Sequence, residues 1–282
     1  MPAEIERELA SSFELVSVAS DTDGVVVTPA IAIDAAYLDA AGPHLRIVAN
    51  YAVGIDNIDL AAARERGIVV SNTPGVLTNA TAEHAIGLIL ALLRRIGEGD
   101  RSLRRRDRWE WGPDFMVGES LEGKELLVVG PGRIGRRVAE LAEAHGAQVS
   151  FARRDDNLQL LLAAADVVTL HCPLTPATRH LVDADALAAM KPTAVLVNTA
   201  RGQVVDEAAL VTALQRGSIA GAALDVFEHE PAVSEELLAL ENVVLTPHVA
   251  SATRTTRFAM GMLVVSALRA VLLDGRVPEN AV

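Results

Sequence analysis

The sequence predicts an α/β protein with two doubly wound parallel sheets, the second domain being inserted into the first. Short β-branched runs alternate with Ala/Leu-rich helical patterns along the chain, which is typical of βαβ units. Aromatic residues make up only 3% of the chain, which favours helices on buried strands over an aromatic-rich sandwich. A length of 282 residues with 50% hydrophobic content is enough for two cores.

Composition also excludes several classes of function. The chain has 25 Lys+Arg against 37 Asp+Glu, a net charge of −12, so it repels a phosphate backbone and no nucleic-acid partner is expected. The only cysteine, Cys172, cannot form an internal disulfide, and the first residues lack a signal-peptide pattern, so a cytoplasmic location is expected. The apolar stretch 85–93 is well under the roughly 20 residues of a membrane span, so no membrane association is expected.

The first third of the chain predicts a small α/β unit. Its expected helices and strands are, in chain order, helix 2–9, strand 24–27, helix 33–41, strand 45–49, helix 58–66 and strand 68–70. Gly67 is placed to end the third of these helices. A last helix at residues 255–273 is long enough to return to this unit.

Between the two units, the spacing predicts one helix over residues 80–96. Its apolar positions recur at intervals of four and three, at Ala82, Ile86, Ile89, Leu93 and Ile96.

Residues 98–123 differ in character from the rest of the chain. They contain five arginines followed by two tryptophans, namely Arg101, Arg104, Arg105, Arg106, Arg108, Trp109 and Trp111. The arginine run is typical of a solvated helix face, and it also suits an arm that wraps around a second subunit. The tryptophans favour the arm, because large aromatic residues outside a core often anchor interfaces.

A second domain with six strands is predicted from residue 125 onwards. These strands are residues 126–129, 148–151, 167–170, 194–198, 222–225 and 243–246. The first strand runs into a glycine turn and then a helix at 136–145, the context that a dinucleotide-binding Rossmann turn requires. Gly130 allows the tight turn, Gly132 lets a pyrophosphate approach the backbone, and Gly135 lets helix and strand pack closely. The phosphates are expected at the helix N-terminus, which includes Arg133 and Ile134.

The end of the second strand of this domain bears on cofactor choice. An NAD site normally has an acidic residue there for the ribose 2′-hydroxyl, whereas this strand is followed by Arg153 and Arg154. Two guanidiniums would pair with a 2′-phosphate, so NADP is expected, with NAD possible. Alternatively, both are ordinary surface arginines and Asp155 or Asp156 is the acceptor.

Three further polar residues follow predicted strand ends, where open α/β sheets bind ligands. They are Arg201, Glu230 and His248. Together they would form a site, although each alone has an ordinary structural explanation: a surface charge, a carboxylate at a helix start and a buried imidazole.

Several separated motifs resemble the D-isomer-specific 2-hydroxyacid dehydrogenase family, in its glyoxylate/hydroxypyruvate reductase branch. In the second domain they are residues 130–135 (GPGRIG), 198–206 (NTARGQVVD), 224–231 (LDVFEHEP) and 246–248 (TPH). In the first they are residues 50–59 (NYAVGIDNID) and 71–83 (SNTPGVLTNATAE). The resemblance implies a Rossmann cofactor domain, residues 79–258, inserted in a flavodoxin-like substrate domain, residues 1–78 and 259–282.

The resemblance also implies a reaction, the reduction of a small 2-keto acid such as glyoxylate or hydroxypyruvate by hydride from a nicotinamide. Arg201 would bind the substrate carboxylate and help to polarise the keto oxygen. His248 would protonate that oxygen, and Glu230 would orient the imidazole and favour its charged form. The backbone amides of Val53 and Gly54 would hold the other end of the carboxylate.

Further cofactor contacts and a homodimer follow from the same resemblance. Asp225 corresponds to a residue beside the nicotinamide carboxamide, and the segment His171, Cys172 and Pro173 to the adenine side. Thr199, Ala200 and His248 complete the expected cofactor contacts. The expected dimer forms through the arm at 98–123, and no metal is expected.

The sequence departs from the family at two places. No strand precedes the predicted helix 2–9, and the segment after Arg154 is shorter than in relatives. Two alternative functions stay open: a phosphoglycerate dehydrogenase-like activity, and a non-enzymatic dinucleotide sensor of the corepressor type. Against them, the chain shows neither a regulatory domain after the last helix nor a basic surface.

Overall fold

A computed structural model describes residues 1–17 and 20–282. The chain divides into two compact units: residues 1–77 with 251–282, and residues 78–250. Both are α/β units built on parallel strands, as the sequence predicts.

The first unit is a three-stranded parallel sheet with helices on both faces. Its elements are α1 (Ala3–Ala10), β1 (Gly24–Val27), α2 (Ala35–Ala41), β2 (Ile47–Asn50), α3 (Leu60–Glu65), β3 (Val69–Ser71) and the C-terminal helix α11 (Arg254–Leu272). The strand order is β1-β2-β3. All the elements predicted for this unit are present.

Helix α11 explains where the chain returns to the first unit. It packs on α1, β1 and β2, and a Cβ atom on Gly24 would lie 2.9 Å from Leu268 Cδ2. The unit therefore resumes at Ser251, upstream of the expected boundary after residue 258. By length and hydropathy α11 could cross a membrane, but half of its apolar window is buried inside the protein, as in a core helix.

The second unit is built around a six-stranded parallel sheet. Its elements are α4 (Thr78–Leu93), α5 (Ile96–Arg105), β4 (Glu125–Val129), α6 (Arg133–Ala144), β5 (Gln148–Ala152), α7 (Leu158–Ala164), β6 (Val167–Leu170), α8 (Ala184–Ala189), β7 (Val195–Asn198), α9 (Glu207–Arg216), β8 (Gly221–Leu224), α10 (Glu235–Leu238) and β9 (Val243–Leu245). All six predicted strands are confirmed. The strand order is β5-β4-β6-β7-β8-β9. After β5 the chain crosses to the other side of β4, so the switch point lies between β4 and β6. Doubly wound sheets bind ligands at such a point.

Strand β4 shows why the strands of this sheet are apolar without interruption. Leu126 and Val128 point to the core on one face of the sheet, with α4 and α6. Leu127 and Val129 point to the core on the other face. Because helices cover both faces, neither set of alternate residues reaches solvent.

The single helix predicted over residues 80–96 is wrong in its extent. It ends at Leu93, and a second helix begins at Ile96 after Arg95 in a left-handed conformation, with φ of 53°. The Leu93 carbonyl accepts instead from the Glu119 amide, at 2.8 Å. Since the predicted apolar stripe is interrupted there, Ile96 is exposed while the four stripe residues before it are buried.

The arginine run is tied to its own unit by ion pairs. Arg101 and Arg105 both form ion pairs with Glu241, which precedes β9. These two arginines therefore attach α5 to the sheet and do not only face solvent. Beyond α5 the described chain has no helix or strand until β4. In that stretch Trp109 stacks on Phe115, with ring centroids 5.9 Å apart, and Trp111 is 87% exposed.

Candidate active site

The glycine turn after β4 is shaped by close backbone contacts. Gly130 has φ of +97°, and a Cβ atom on it would lie 2.7 Å from the Cys172 amide nitrogen. A Cβ atom on Gly135 would lie 2.3 Å from the Gly130 carbonyl oxygen. A side chain at either position would push apart the turn and its neighbours.

Gly132 is different because it faces open space. Apart from its two chain neighbours, no atom of the described residues lies within 4 Å of where its Cβ would be. It is the N-cap of α6, so the amides of the first helical turn, from Arg133 to Gly135, have no acceptor within the helix. An open cradle lined with free amides at a helix N-terminus fits a phosphate group.

The segment after β6 forms a neutral wall beside this turn. Burial lowers the pKa of His171 to about 4, and the Thr169 hydroxyl lies 2.9 Å from its Nε2. Burial also raises the pKa of Cys172 to about 11, against the smaller opposing effect of a backbone hydrogen bond. His171 and Cys172 are therefore uncharged at neutral pH, and the exposed Pro173 that follows them is apolar.

The turn after β5 leaves its arginines exposed and engages Asp156 in a bond to the backbone. The Asp156 carboxylate accepts from the Arg153 amide at 2.7 Å, and the Asp156 amide donates to the Arg153 carbonyl. Asn157 then caps α7. Arg153, Arg154, Asp155 and Asp156 are all exposed. Hydrogen bonds among its own residues therefore stabilise the short connection between β5 and α7.

The loop after β7 is held by a buried asparagine. Asn198 accepts from the Ala200 amide at 3.0 Å and donates to the Arg201 carbonyl at 2.8 Å, which fixes the backbone that carries Arg201. The hydroxyl of Thr199 is buried and has no hydrogen-bond partner among the described residues. It marks a place where a bound group could supply one.

Asp225, after β8, organises the loop that carries His248. Its carboxylate is 1% exposed and accepts from the Thr246 hydroxyl at 2.6 Å and from the amides of Val249 and Ala250 at 2.9 and 2.8 Å. Its backbone carbonyl accepts from the His248 amide at 2.7 Å. Burial is the largest single influence and opposes ionisation, but the hydrogen bonds together lower the pKa of Asp225.

One residue of this network, His84, was not identified from the sequence. His84 Nε2, on α4, lies 3.1 Å from Thr246 Oγ1 and 3.4 Å from Asp225 Oδ1. His84 is far from both in sequence, and nothing in its own segment suggests the contact.

Glu230 and His248 form a direct pair. Glu230 Oε2 lies 2.7 Å from His248 Nδ1, and Glu230 Oε1 accepts from the Phe227 amide at 3.0 Å. Burial disfavours the charge on Glu230, but the bonds from His248 and Phe227, aided by the positive charge of Arg201, lower its pKa. With Nδ1 engaged, Nε2 is the ring atom left to exchange a proton with a ligand.

In the first unit, two asparagines fix the loop that contains Val53 and Gly54. Asn72 donates to the Val53 carbonyl at 2.9 Å, and the buried Asn50 donates to the Gly54 carbonyl at 2.6 Å. Both carbonyl oxygens are thereby satisfied within the unit. Neither asparagine was singled out from the sequence as a support of this loop.

The chain is similar to known reductases along most of its length. Residues 86–250 match the family described as "D-isomer specific 2-hydroxyacid dehydrogenase, NAD binding domain". It is 46% identical over 286 aligned positions to a glyoxylate reductase of Aeropyrum pernix, covering 95% of this chain and 85% of that one. A glyoxylate reductase of Pyrococcus furiosus is 44% identical over 296 positions, covering 99% and 87%.

A solved structure gives the same result in three dimensions. It is an NADPH-dependent glyoxylate/hydroxypyruvate reductase from Sinorhizobium meliloti in complex with NADP and malonate. Its TM-score is 0.88 at 39% identity, covering all of this chain and 94% of that one. The resemblance seen in the sequence is confirmed, and the chain belongs to the D-isomer specific 2-hydroxyacid dehydrogenase family.

Proposed function

We propose that this protein reduces glyoxylate or hydroxypyruvate to the corresponding 2-hydroxy acid with a nicotinamide cofactor, preferentially NADPH. The observation that carries the proposal is the Glu230–His248 pair, 2.7 Å apart, in the same unit as the Gly130–Gly135 turn. The matched relatives are named glyoxylate reductases, which supports this choice of substrate.

The proposed residues have two kinds of role in the reaction. One neutralises the charge of the substrate, and the other transfers a proton. Arg201 binds the substrate carboxylate and polarises the keto oxygen. The bound nicotinamide supplies the hydride that adds to the carbonyl carbon. His248 Nε2 donates a proton to the carbonyl oxygen, and the imidazole later regains one from water. Glu230, kept ionised by its lowered pKa, favours the protonated imidazole.

The described residues fit a dinucleotide. The open cradle at Gly132 and the amides of Arg133 and Ile134 suit the pyrophosphate, and the unpartnered Thr199 hydroxyl suits a ligand at the end of β7. Ala200, His248 and Asp225 would lie on the nicotinamide side, and His171, Cys172 and Pro173 on the adenine side.

The preference for NADPH rests on the turn after β5. Asp156, one of the two acids that could accept from a ribose hydroxyl, is bonded to the Arg153 amide, while both guanidiniums are exposed. Two positive charges at this place favour a 2′-phosphate. The reductase from Sinorhizobium meliloti is itself described as NADPH-dependent.

A kinetic panel tests the proposed function. The purified protein would be assayed with glyoxylate, hydroxypyruvate and phosphohydroxypyruvate, each with NADPH and NADH. We expect the highest kcat/KM for glyoxylate or hydroxypyruvate with NADPH. A preference for phosphohydroxypyruvate would favour the phosphoglycerate dehydrogenase alternative, and tight cofactor binding without turnover of any 2-keto acid would favour a sensor.

We also propose a cytoplasmic homodimer in which residues 98–123 are the arm between subunits. The support is the cluster of exposed apolar side chains there, which includes Leu103, Trp109, Trp111 and Val117. Sedimentation at micromolar concentration should give a dimer, and Trp111→Ser should weaken it. Val277→Ser, which changes an exposed residue in the first unit, is the matched control. A monomeric wild type would overturn the proposal.

A further inference from the structure

A cluster of polar residues outside the proposed catalytic set joins the two loops that carry Arg201 and Glu230. It consists of His180, Gln203, Glu207 and Glu228, and is called the Glu228 cluster below. Glu228 lies two positions before Glu230, and its side chain is 14% exposed. A carboxylate with so little exposure to water is costly unless both oxygens are partnered.

Both oxygens of Glu228 have partners on other segments. Oε1 lies 2.6 Å from His180 Nε2, and Oε2 accepts from the Glu207 amide at 3.3 Å. Glu207 returns the contact, because its own Oε2 accepts from the Glu228 amide at 3.1 Å. Glu207 is the first residue of α9, so a carboxylate here also satisfies a free amide at a helix N-terminus.

The same loops are also joined by a bond from a side chain to the backbone and by a close approach of their backbones. Gln203 Nε2 donates to the Glu228 carbonyl at 2.9 Å, and a Cβ atom on Gly202 would lie 1.9 Å from the Phe227 carbonyl carbon. The Gln203 carbonyl accepts from the His180 amide at 2.9 Å. The loop after β8 therefore rests directly on the segment that follows Arg201.

We propose that Glu228 is a positioning residue, which holds the Phe227–Glu230 loop on the Arg201–Glu207 segment and so aligns Glu230 and His248 with Arg201. Phe227 is the link, because its amide donates to Glu230 Oε1 at 3.0 Å. A shift of the Phe227–Glu228 backbone moves Glu230, and with it the imidazole. This inference rests on the proposed reduction of a 2-keto acid.

The main variant is Glu228→Ala, with Glu236→Ala as the matched control on an exposed residue of α10. We expect kcat for glyoxylate to fall about 10- to 100-fold, the cost of misplacing a reacting group by about 1 Å. NADPH affinity, measured by fluorescence titration, should be unchanged, because the glycine turn is not part of the cluster. Glu228→Gln should recover much of the loss, since a glutamine keeps one acceptor for the Glu207 amide. If Glu228→Ala does not fold, Gln203→Ala removes the bond to the Glu228 carbonyl instead and should lower kcat in the same way.

A double-mutant cycle separates positioning from a general structural role. If Glu228 acts through Glu230, adding Glu228→Ala to Glu230→Gln should cost much less than it does in the wild type. Fully additive losses, or a Glu228→Ala variant as active as Glu236→Ala, would overturn the inference. If Glu228→Ala is as active as Glu236→Ala but Glu230→Gln loses most of its activity, only the inference on Glu228 fails and the proposed function stands.

Hydrogen exchange gives a readout that does not depend on the substrate. The segment 225–231 contains the Phe227 and Glu228 amides, and it should exchange faster in Glu228→Ala than in Glu236→Ala. If the wild type reduces no 2-keto acid, the proposed function fails, and the exchange rates alone decide the positioning role. Unchanged protection of this segment would contradict that role.

Discussion

The cofactor turn and the proposed catalytic loops lie in the same unit but are built in different ways. The Gly130–Gly135 turn is set by missing side chains, because its backbone approaches its neighbours too closely for a Cβ atom at either end. The loops that carry Arg201, Glu230 and His248 are set by side chains that bond to backbone, among them Asn198 and Asp225. A local motif can specify the first kind of structure, whereas the second needs residues brought together by the fold.

The sharpest test of this contrast is removal of the proposed acid. His248→Ala should lower kcat for glyoxylate by roughly 10²–10⁴-fold, the usual contribution of a general acid, and should weaken NADPH binding much less, because the glycine turn that binds the pyrophosphate is unchanged. His229→Ala is the matched control, since His229 is an exposed histidine next to Glu230 in the sequence. Steady-state kinetics with a fluorescence titration would decide, and an unchanged kcat would refute the role of His248.

The next largest effect concerns the end of β5. One guanidinium bond to a 2′-phosphate contributes about 1.5–3 kcal/mol, which corresponds to roughly a 10- to 150-fold preference for NADPH. Exposure to salt should bring the value towards the lower end. The measurement is the ratio of kcat/KM for NADPH and NADH in the wild type and in Arg153→Asp. Equal ratios in the two proteins would show that Arg153 does not contact the ribose.

Alanine substitutions at Gly135 and Gly132 test whether close backbone contacts determine the conformation of the turn. Gly135→Ala should destabilise the fold by about 1–3 kcal/mol, as overpacking does, because its Cβ meets the Gly130 carbonyl. Gly132→Ala should leave the unfolding midpoint unchanged and weaken NADPH binding, since its Cβ enters open space in front of α6. The two variants are each other's control in urea unfolding and cofactor titration. Equal stability losses would contradict the assignment.

The last effect, which is the one that depends on pH, concerns Asp225. Asp225→Asn should lower the free energy of unfolding at pH 7 by about 1–3 kcal/mol, through loss of charged hydrogen bonds. The pKa of Asp225 is lowered in the folded protein, so its stabilisation is present above the unfolded pKa and disappears as the pH falls through the folded one. The difference from wild type should therefore narrow below about pH 4. A constant difference from pH 7 to pH 3 would disprove this.

The sequence predicted the six strands of the second unit, because buried parallel strands are continuous apolar runs such as residues 126–129. It did not predict the break after Leu93, because the Leu93 carbonyl accepts a hydrogen bond from the amide of Glu119, which is distant in sequence. Arg201, Glu230 and His248 were predicted from motifs. The contacts of His84 and Glu228 were not predicted, because each joins residues from distant segments.

Isotope transfer tests the central claim most directly. Glyoxylate would be incubated with the protein and NADPH that carries deuterium at the transferable position of nicotinamide C4, and the product analysed by mass spectrometry. The proposed function predicts glycolate with deuterium on the former carbonyl carbon, in an amount equal to the NADPH consumed. Absence of a 2-hydroxy acid product from both glyoxylate and hydroxypyruvate, or a product without the label, would contradict direct hydride transfer by this protein.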